Sequence, residues 1–376
     1  MKSITAKLSY QMIYTSISQL AENTKPVYFK FWANCILVKG YKRGIVADLF
    51  RRRQVVVSRL FCTLFDKYMS VPVADLNGDT EFDEIKGYLK ILDYFVKNDF
   101  GVYTDNPVEL APLSMEYDSP YLSTTMVLEV DSDTDRESVL NRVKAIARYP
   151  VLSLQINDEG HMDIATMQAI GELTMRSTIE CIHIYTHFSK QYRQADFFFT
   201  TQNLRFRQIV FMQAPVSKRV KPITENQGVI RLEKESVDFD DCGNVGKPYF
   251  VFNQSFFIEG HSCNTCLNQK VSIDKDGNIG NCPLMPHTFG NIMNTSLKEV
   301  VSRPDFQRLW NITKDHVEVC KDCEYRYFCT DCRHFVKDRN NLLSQPSKCN
   351  YNPYIAKWRD EDGYVPVEKI LKTSYR

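Results

Sequence analysis

The sequence predicts an α/β chain in three parts, and three observations carry that prediction. Strand-like and helix-like segments alternate through residues 116–255. Short β-rich runs precede two amphipathic helices in residues 30–115. Eight of the twelve cysteines fall between residues 263 and 349, in a stretch with few long periodic segments.

The N-terminal part, 1–115, opens with a mixed lead-in over residues 1–29. CILVKG, GIVADL and QVVVS then read as strands, separated by turn-like or charged pieces at Gly40–Arg43 and Phe50–Arg53. RLFCTLFDKY has helical spacing. EFDEIKGYLKILDYFVKN places Phe82, Ile85, Leu89, Leu92 and Phe95 on one stripe, and GVYTD returns as a strand. Strands followed by helices in this order suit a winged-helix-like α+β domain.

The middle part, 116–255, reads strand TTMVLEV, helix RESVLNRVKAIARY, strand VLSLQI, helix DIATMQAIGELTMR, strand ECIHIYTH, helix KQYRQADFFFTTQN and strand RQIVFMQ. Apolar strands spaced by helices predict a parallel sheet. Only GVIRLE and YFVFN follow with a weaker pattern, so a full eight-fold barrel does not fit, and a degenerate partial (β/α) barrel does. Glu159, His161, Asp163, His183 and His187 lie at strand ends, where such sheets often hold ligands. No nucleophile, phosphate loop or acid–base pair stands out among them.

Composition narrows the partners. A net charge of +1 gives no bulk attraction to nucleic acid or to a membrane surface. No apolar run reaches the roughly 18 residues of a membrane span. MKSITAKLSYQMIYTSISQL is broken by polar residues and lacks the apolar core of a signal peptide. A cytoplasmic location is expected, and there disulfides are not the expected use of the cysteines.

Cys35, Cys62, Cys181 and Cys242 fall singly. The remainder read Cys263-x2-Cys266, then Gly277 and Cys282, then Cys320-x2-Cys323-x5-Cys329-x2-Cys332, then Cys349. A CxxC turn lets two thiolates reach one metal, and eight thiolates make two four-thiolate sites, of zinc or of iron–sulfur clusters. Four-sulfur sites suit either metal. His261 and His287 lie nearby but are left out of the ligand set. The part 256–376 holds one expected helix, SLKEVVSRPDFQRLW, and so little other periodic structure that metal ligation is needed to hold it together.

The cysteine run from Cys266 to Cys349 closely resembles the SPASM domain of peptide-modifying radical enzymes, a seven-cysteine framework with a glycine five residues before its second cysteine. SIDKDGNIGNCP, FGNI and SLKEV match its supporting text, while two residues separate Cys329 from Cys332 where the usual pattern has three. The resemblance implies two interleaved [4Fe-4S] clusters. Cys263, Cys266, Cys282 and Cys332 would hold the first, and Cys320, Cys323, Cys329 and Cys349 the second, with zinc as the alternative metal.

CILVKGYKRGIVADL, KDHVEVCKDCEYRYFCTDCRHF and HSCNTCLNQKVSIDKDGNIGNCP together look like the SPASM-domain peptide maturases of the grasp-with-spasm system. That resemblance implies a role in maturing a ribosomally synthesised peptide, with a precursor (leader) peptide and an ATP-grasp ligase as partners. The N-terminal domain would then resemble small winged domains that bind leader peptides. An extended leader would add to a strand edge, expected at Gln54–Val57 or Gly44–Asp48. Lys42, Arg43, Arg51, Arg52 and Arg53 would draw an acidic leader or form a solvated face.

The radical signature itself is missing. No cysteine has partners in CxxxCxxC spacing, the loop after TTMVLEV reads DSDTDRES, and there is no Gly-Gly-Glu motif. No S-adenosylmethionine is expected. The sequence leaves open whether the protein is an enzyme. A redox enzyme using one auxiliary cluster on the peptide, or a zinc-binding interaction module, are the alternatives to a peptide-binding maturation factor. A nucleic-acid module is disfavoured by the neutral charge.

Overall fold

A computed structural model describes residues 25–78, 82–106, 111–236 and 242–374. Most of the lead-in, residues 1–24, lies outside them, as does the MKSITAKLSYQMIYTSISQL segment.

The N-terminal part runs β1 (Tyr28–Phe31), β2 (Cys35–Lys39), β3 (Arg43–Asp48), β4 (Arg53–Ser58), α1 (Arg59–Tyr68), α2 (Phe82–Lys97) and β5 (Gly101–Thr104). β1 pairs with β5, and β2-β3-β4 form an antiparallel meander. Ser58 ends β4 and starts α1, its hydroxyl accepting the Phe61 N–H at 3.1 Å. The helices cover one face of the meander, where Val46 and Val57 meet Phe61, Leu92 and Phe95. On the other face Ile45 and Ala47 pack against Phe257, Tyr325, Phe328, Tyr351 and Trp358 from the C-terminal part.

β3 is therefore buried on both faces, which is why its sequence lacks polar alternation. This corrects the expectation that Gly44–Asp48 is an edge. It is the central strand, paired on both sides, and the edges are β2 and β4. The basic run is also mostly committed within the chain. Arg51 and Arg53 hydrogen-bond the buried Asp48 carboxylate, and Arg43 pairs with Glu324.

The rest of the chain runs β6 (Thr125–Val130), α3 (Arg136–Ile146), β7 (Ser153–Asp158), α4 (Ile164–Thr174), β8 (Cys181–His187), α5 (Phe199–Gln202), β9 (Phe206–Met212), β10 (Lys218–Arg219) and β11 (Val229–Leu232). α6 (Gln254–Ser262), β12 (Lys270–Ile273), β13 (Ile279–Gly280), α7 (Leu297–Val301), α8 (Pro304–Gln307), β14 (Tyr351–Asn352), β15 (Lys357–Trp358) and α9 (Val367–Ser374) follow.

One eight-stranded sheet has the order β10-β11-β9-β8-β7-β6-β12-β13. It is parallel from β11 to β12, with β10 and β13 antiparallel at the ends, so it stays open. Leu128, Leu154, Ile156, Ile182 and Ile184 of the strands pack on Val143, Ile146 and Ile170 of α3 and α4. β12 comes from the cysteine-rich part and pairs with β6, so the sheet crosses the expected boundary at residue 255.

Three expected segments differ. KQYRQADFFFTTQN is not one helix but a 3-10 turn, Gln194–Phe198, followed by the four-residue α5. SLKEVVSRPDFQRLW forms two short helices, α7 and α8, because Arg303 precedes Pro304 and takes an extended conformation. YFVFN forms no strand; a short 3-10 turn at Lys247–Tyr249 containing Pro248 leads into it. Among the described residues no helix is long and apolar enough to cross a membrane.

Candidate metal centre

Cys320 opens a 3-10 turn closed by the Cys323 N–H on the Cys320 carbonyl at 2.9 Å. A second 3-10 turn, Arg326–Phe328, delivers Cys329. Cys349 follows a turn in which its N–H reaches the Pro346 carbonyl at 3.1 Å. These four cysteines line one small cavity of about 20 Å3, walled by Phe250, Tyr325, Tyr351, Trp358 and Lys314.

Burial pushes the Cys320 thiol up to about 12, against the pull of Lys314, and it raises Cys323 and Cys329 as well. The Lys314 ammonium is buried, 3.5 Å from Cys329 Sγ and 3.5 Å from Asp331 Oδ1. The Tyr325 N–H donates to Cys323 Sγ at 3.4 Å. Thiols gathered in so dry a space keep their protons unless a cation takes their place. The lining therefore fits a thiolate-ligated metal group. Among the described residues no three His, Cys, Asp or Glu side chains converge closely enough to hold a single metal ion. The four cysteines share the lining of one small cavity instead.

The other cysteines are placed by different turns. α6 ends at Cys263, and the buried Asn264 organises the next turn. Its Oδ1 accepts the N–H groups of Cys266 and Leu267 at 3.0 and 2.9 Å, while its Nδ2 donates to Asp331 at 2.9 Å. Between β12 and β13, Asp274 Oδ1 accepts the Asp276 and Asn278 N–H groups. Gly277 between them sits at φ +86°, a left-handed position that suits glycine. The hairpin returns the chain to Cys282.

The Cys332 thiol is lowered to about 5, chiefly by the Cys242 thiol and against burial, with the backbone of Phe335 and His334 adding to the drop. Burial pushes Cys266 up to about 11, with Lys270 opposing and with Cys332 and Cys282 adding to the rise. Desolvation works against the Lys270 charge, yet Cys266, Cys282, Cys242 and Cys332 hold it above its ordinary value. Cys266, Cys282 and Cys332 thus share one neighbourhood.

Cys263 stands apart from it. Its thiol is raised by burial and by Glu259, with none of the other cysteines acting on it. Cys242, which falls singly in the sequence and has no spacing signal, is carried to Cys332 by the next residue, Gly243, where a Cβ would lie 3.3 Å from Cys332 Sγ.

Asp331 lies between the two groups. It is buried, accepts from Asn264, Lys314 and Arg333, and its own N–H donates to Thr265 Oγ1 at 3.1 Å. The short Cys329-x2-Cys332 segment is therefore clasped between Cys329 on one cavity and Cys332 in the other group.

At the C-terminal ends of the parallel strands, a cavity of about 620 Å3 is lined by Glu129, Asp131, Asp158, Glu159, His187 and Lys275, among others. Burial, with Asp274 and Glu159, raises the Glu129 carboxyl. Of the strand-end residues singled out by sequence, Glu159 and His187 line this cavity, and the His161 ring lies 5.7 Å from that of His187. Asp163 caps α4 by accepting the Thr166 N–H at 2.6 Å. His183 lies opposite Gln208 of β9, and burial lowers its pKa.

Residues 263–324 match the family model of the SPASM iron-sulfur cluster-binding domain. The match implies iron–sulfur cluster binding. It spans Cys263, Cys266, Cys282, Cys320 and Cys323, and stops short of Cys329, Cys332 and Cys349. No curated protein matches the chain.

Proposed function

We propose that the protein is a maturation factor for a ribosomally synthesised, post-translationally modified peptide. In this account it carries two [4Fe-4S] clusters, performs no radical S-adenosylmethionine chemistry, binds the precursor peptide and works with an ATP-grasp ligase. The observation that carries the cluster assignment is the gathering of Cys320, Cys323, Cys329 and Cys349 around one apolar cavity with the Lys314 ammonium in its wall. The match to the SPASM iron-sulfur cluster-binding domain favours a cluster over a single zinc.

When bound, each cluster supplies a one-electron redox centre and a cross-link between loop segments. The chain's own groups do the rest. The Tyr325 N–H and the Lys314 ammonium stabilise negative sulfur in the second site, and Lys270 does so in the first. Phe250, Tyr325, Tyr351 and Trp358 exclude water from the second.

The loss of radical chemistry is supported by the sequence, in which no three cysteines have CxxxCxxC spacing. Peptide binding is supported by β4. Among the described residues no strand pairs with its outer edge, and Val56 is exposed there. An extended leader would add to such an edge.

A pull-down of the candidate precursor peptide tests the account. Retention by the wild-type chain and loss on Val56→Lys support it, whereas equal retention by both chains contradicts binding at β4. Incubation of the iron-loaded chain with S-adenosylmethionine and reductant is expected to give no 5′-deoxyadenosine. Its formation would contradict the loss of radical chemistry.

A further inference from the structure

We infer that Cys242, not Cys263, is the fourth thiolate of the first metal group, beside Cys266, Cys282 and Cys332. This rests on the proposal that the chain binds two thiolate-ligated metal groups.

Three observations place Cys242 there. The Cys332 thiol, burial and the Cys266 thiol together raise the Cys242 thiol, in that order, so both sulfurs act on it. The thiols of Cys266, Cys282, Cys242 and Cys332 all act on the Lys270 ammonium. The turn that carries Cys242 is shaped for close approach. Gly243 has φ +74°, and a Cβ at that position would lie 2.9 Å from Cys332 Cβ and 3.3 Å from its Sγ. Only a glycine lets the backbone come so near a ligand cysteine. The turn is also tied to the distal segment, because Lys348 Nζ donates to the Cys242 carbonyl at 2.8 Å and sits over the Phe335 ring.

Cys263 has a different role. Its N–H closes α6 on the Glu259 carbonyl at 2.6 Å, and its thiol lies beside Glu259 and Tyr117. With Cys242 the first group gains four ligands from four separate segments of the chain. It thereby fastens the segment entering the cysteine-rich part to Cys282 and Cys332.

Both coordination sites can be read in the full-length chain purified without oxygen. Iron and sulfide are measured in the wild type, Cys242→Ser and Cys263→Ser, with circular dichroism to show that each folds. Cys242→Ser is expected to lose up to half of the bound iron, and the electron paramagnetic resonance signal of the first cluster is expected to change. Cys263→Ser is expected to match the wild type. The reverse pattern, or wild-type iron in Cys242→Ser, overturns the assignment.

A second measurement needs no variant. Alkylation of the metal-loaded chain, mapped by mass spectrometry, is expected to label Cys263 and spare Cys242 until the metal is removed. Labelling of Cys242 in the loaded chain, or a Cys242–Cys332 disulfide alongside full metal content, overturns it. If the wild type carries zinc in place of iron, the cluster proposal fails on its own. The same variants then report the ligand through zinc content, with loss in Cys242→Ser alone supporting Cys242 and any other pattern overturning it.

Discussion

The Arg43 guanidinium donates from Nε to Glu324 Oε1 at 2.6 Å, joining the central strand of the N-terminal meander to the residue that follows Cys323. Glu324 is fully buried and also accepts the Tyr351 hydroxyl, while Arg43 reaches the Tyr325 hydroxyl at 3.2 Å. Arg326 adds a bond to the Lys39 carbonyl at 2.7 Å, and Tyr41 donates its N–H to the Asp322 carbonyl at 2.8 Å. The N-terminal sheet and the second cysteine cavity are thus one packed structure.

Removing one partner of that pair leaves a charge without compensation, and the two removals are unequal. Arg43→Ala strands a buried carboxylate, whereas Glu324→Gln leaves a guanidinium that is 26% exposed. Arg43→Ala is expected to cost about 3 kcal/mol, the lower end for breaking a buried pair because water partly screens Arg43. Glu324→Gln is expected to cost less. Urea denaturation of the metal-loaded chain checks the order, and equal losses would contradict it.

Asp48 gives a pH signature to the same sheet. Burial works against its charge, but the Arg51 N–H and the Arg53 and Arg51 guanidinium groups hold its carboxyl below the ordinary value. A depressed folded pKa stabilises above the unfolded carboxylate value of about 3.9 and loses that contribution as pH falls through the folded value. Asp48→Asn is expected to cost about 2 kcal/mol at neutral pH, the size of hydrogen bonds to a charged group. It should also flatten the acid limb below about pH 4. Denaturation midpoints measured from pH 7 to pH 3 check both. An unchanged acid limb would contradict the role of Asp48.

Lys270 and Lys314 each place one ammonium against one group of thiols. A positive charge near a cluster favours its reduced, more negative state. Lys270→Met is expected to move the first cluster's midpoint to lower potential and leave the second's where it is, with Lys314→Met doing the converse. A redox titration followed by electron paramagnetic resonance reads both shifts. Midpoints that do not move would show that the lysines serve packing alone.

Local pattern made much of this fold legible. The strands and helices from Cys35 to Met212 follow their apolar periods, and Gly277 marked the hairpin before Cys282. What was not legible depends on contacts distant in sequence. Gly44–Asp48 looked like an edge because nothing local shows that Phe257, Tyr325 and Trp358 cover its second face. The charges of Arg43, Arg51 and Arg53 looked available because Asp48 and Glu324 gave no sign of being their partners. Cys242 carried no CxxC spacing, and only the folded turn at Gly243 brings it to Cys332. Pro304 was visible in the sequence, and its effect on the preceding residue explains the break between α7 and α8.

The central claim is that the cysteines hold two iron–sulfur clusters. Iron, acid-labile sulfide and zinc measured together on chain purified without oxygen test it most directly. The account predicts about eight irons and eight sulfides per chain, two four-iron clusters, with little zinc. About two zincs per chain and no sulfide would contradict it.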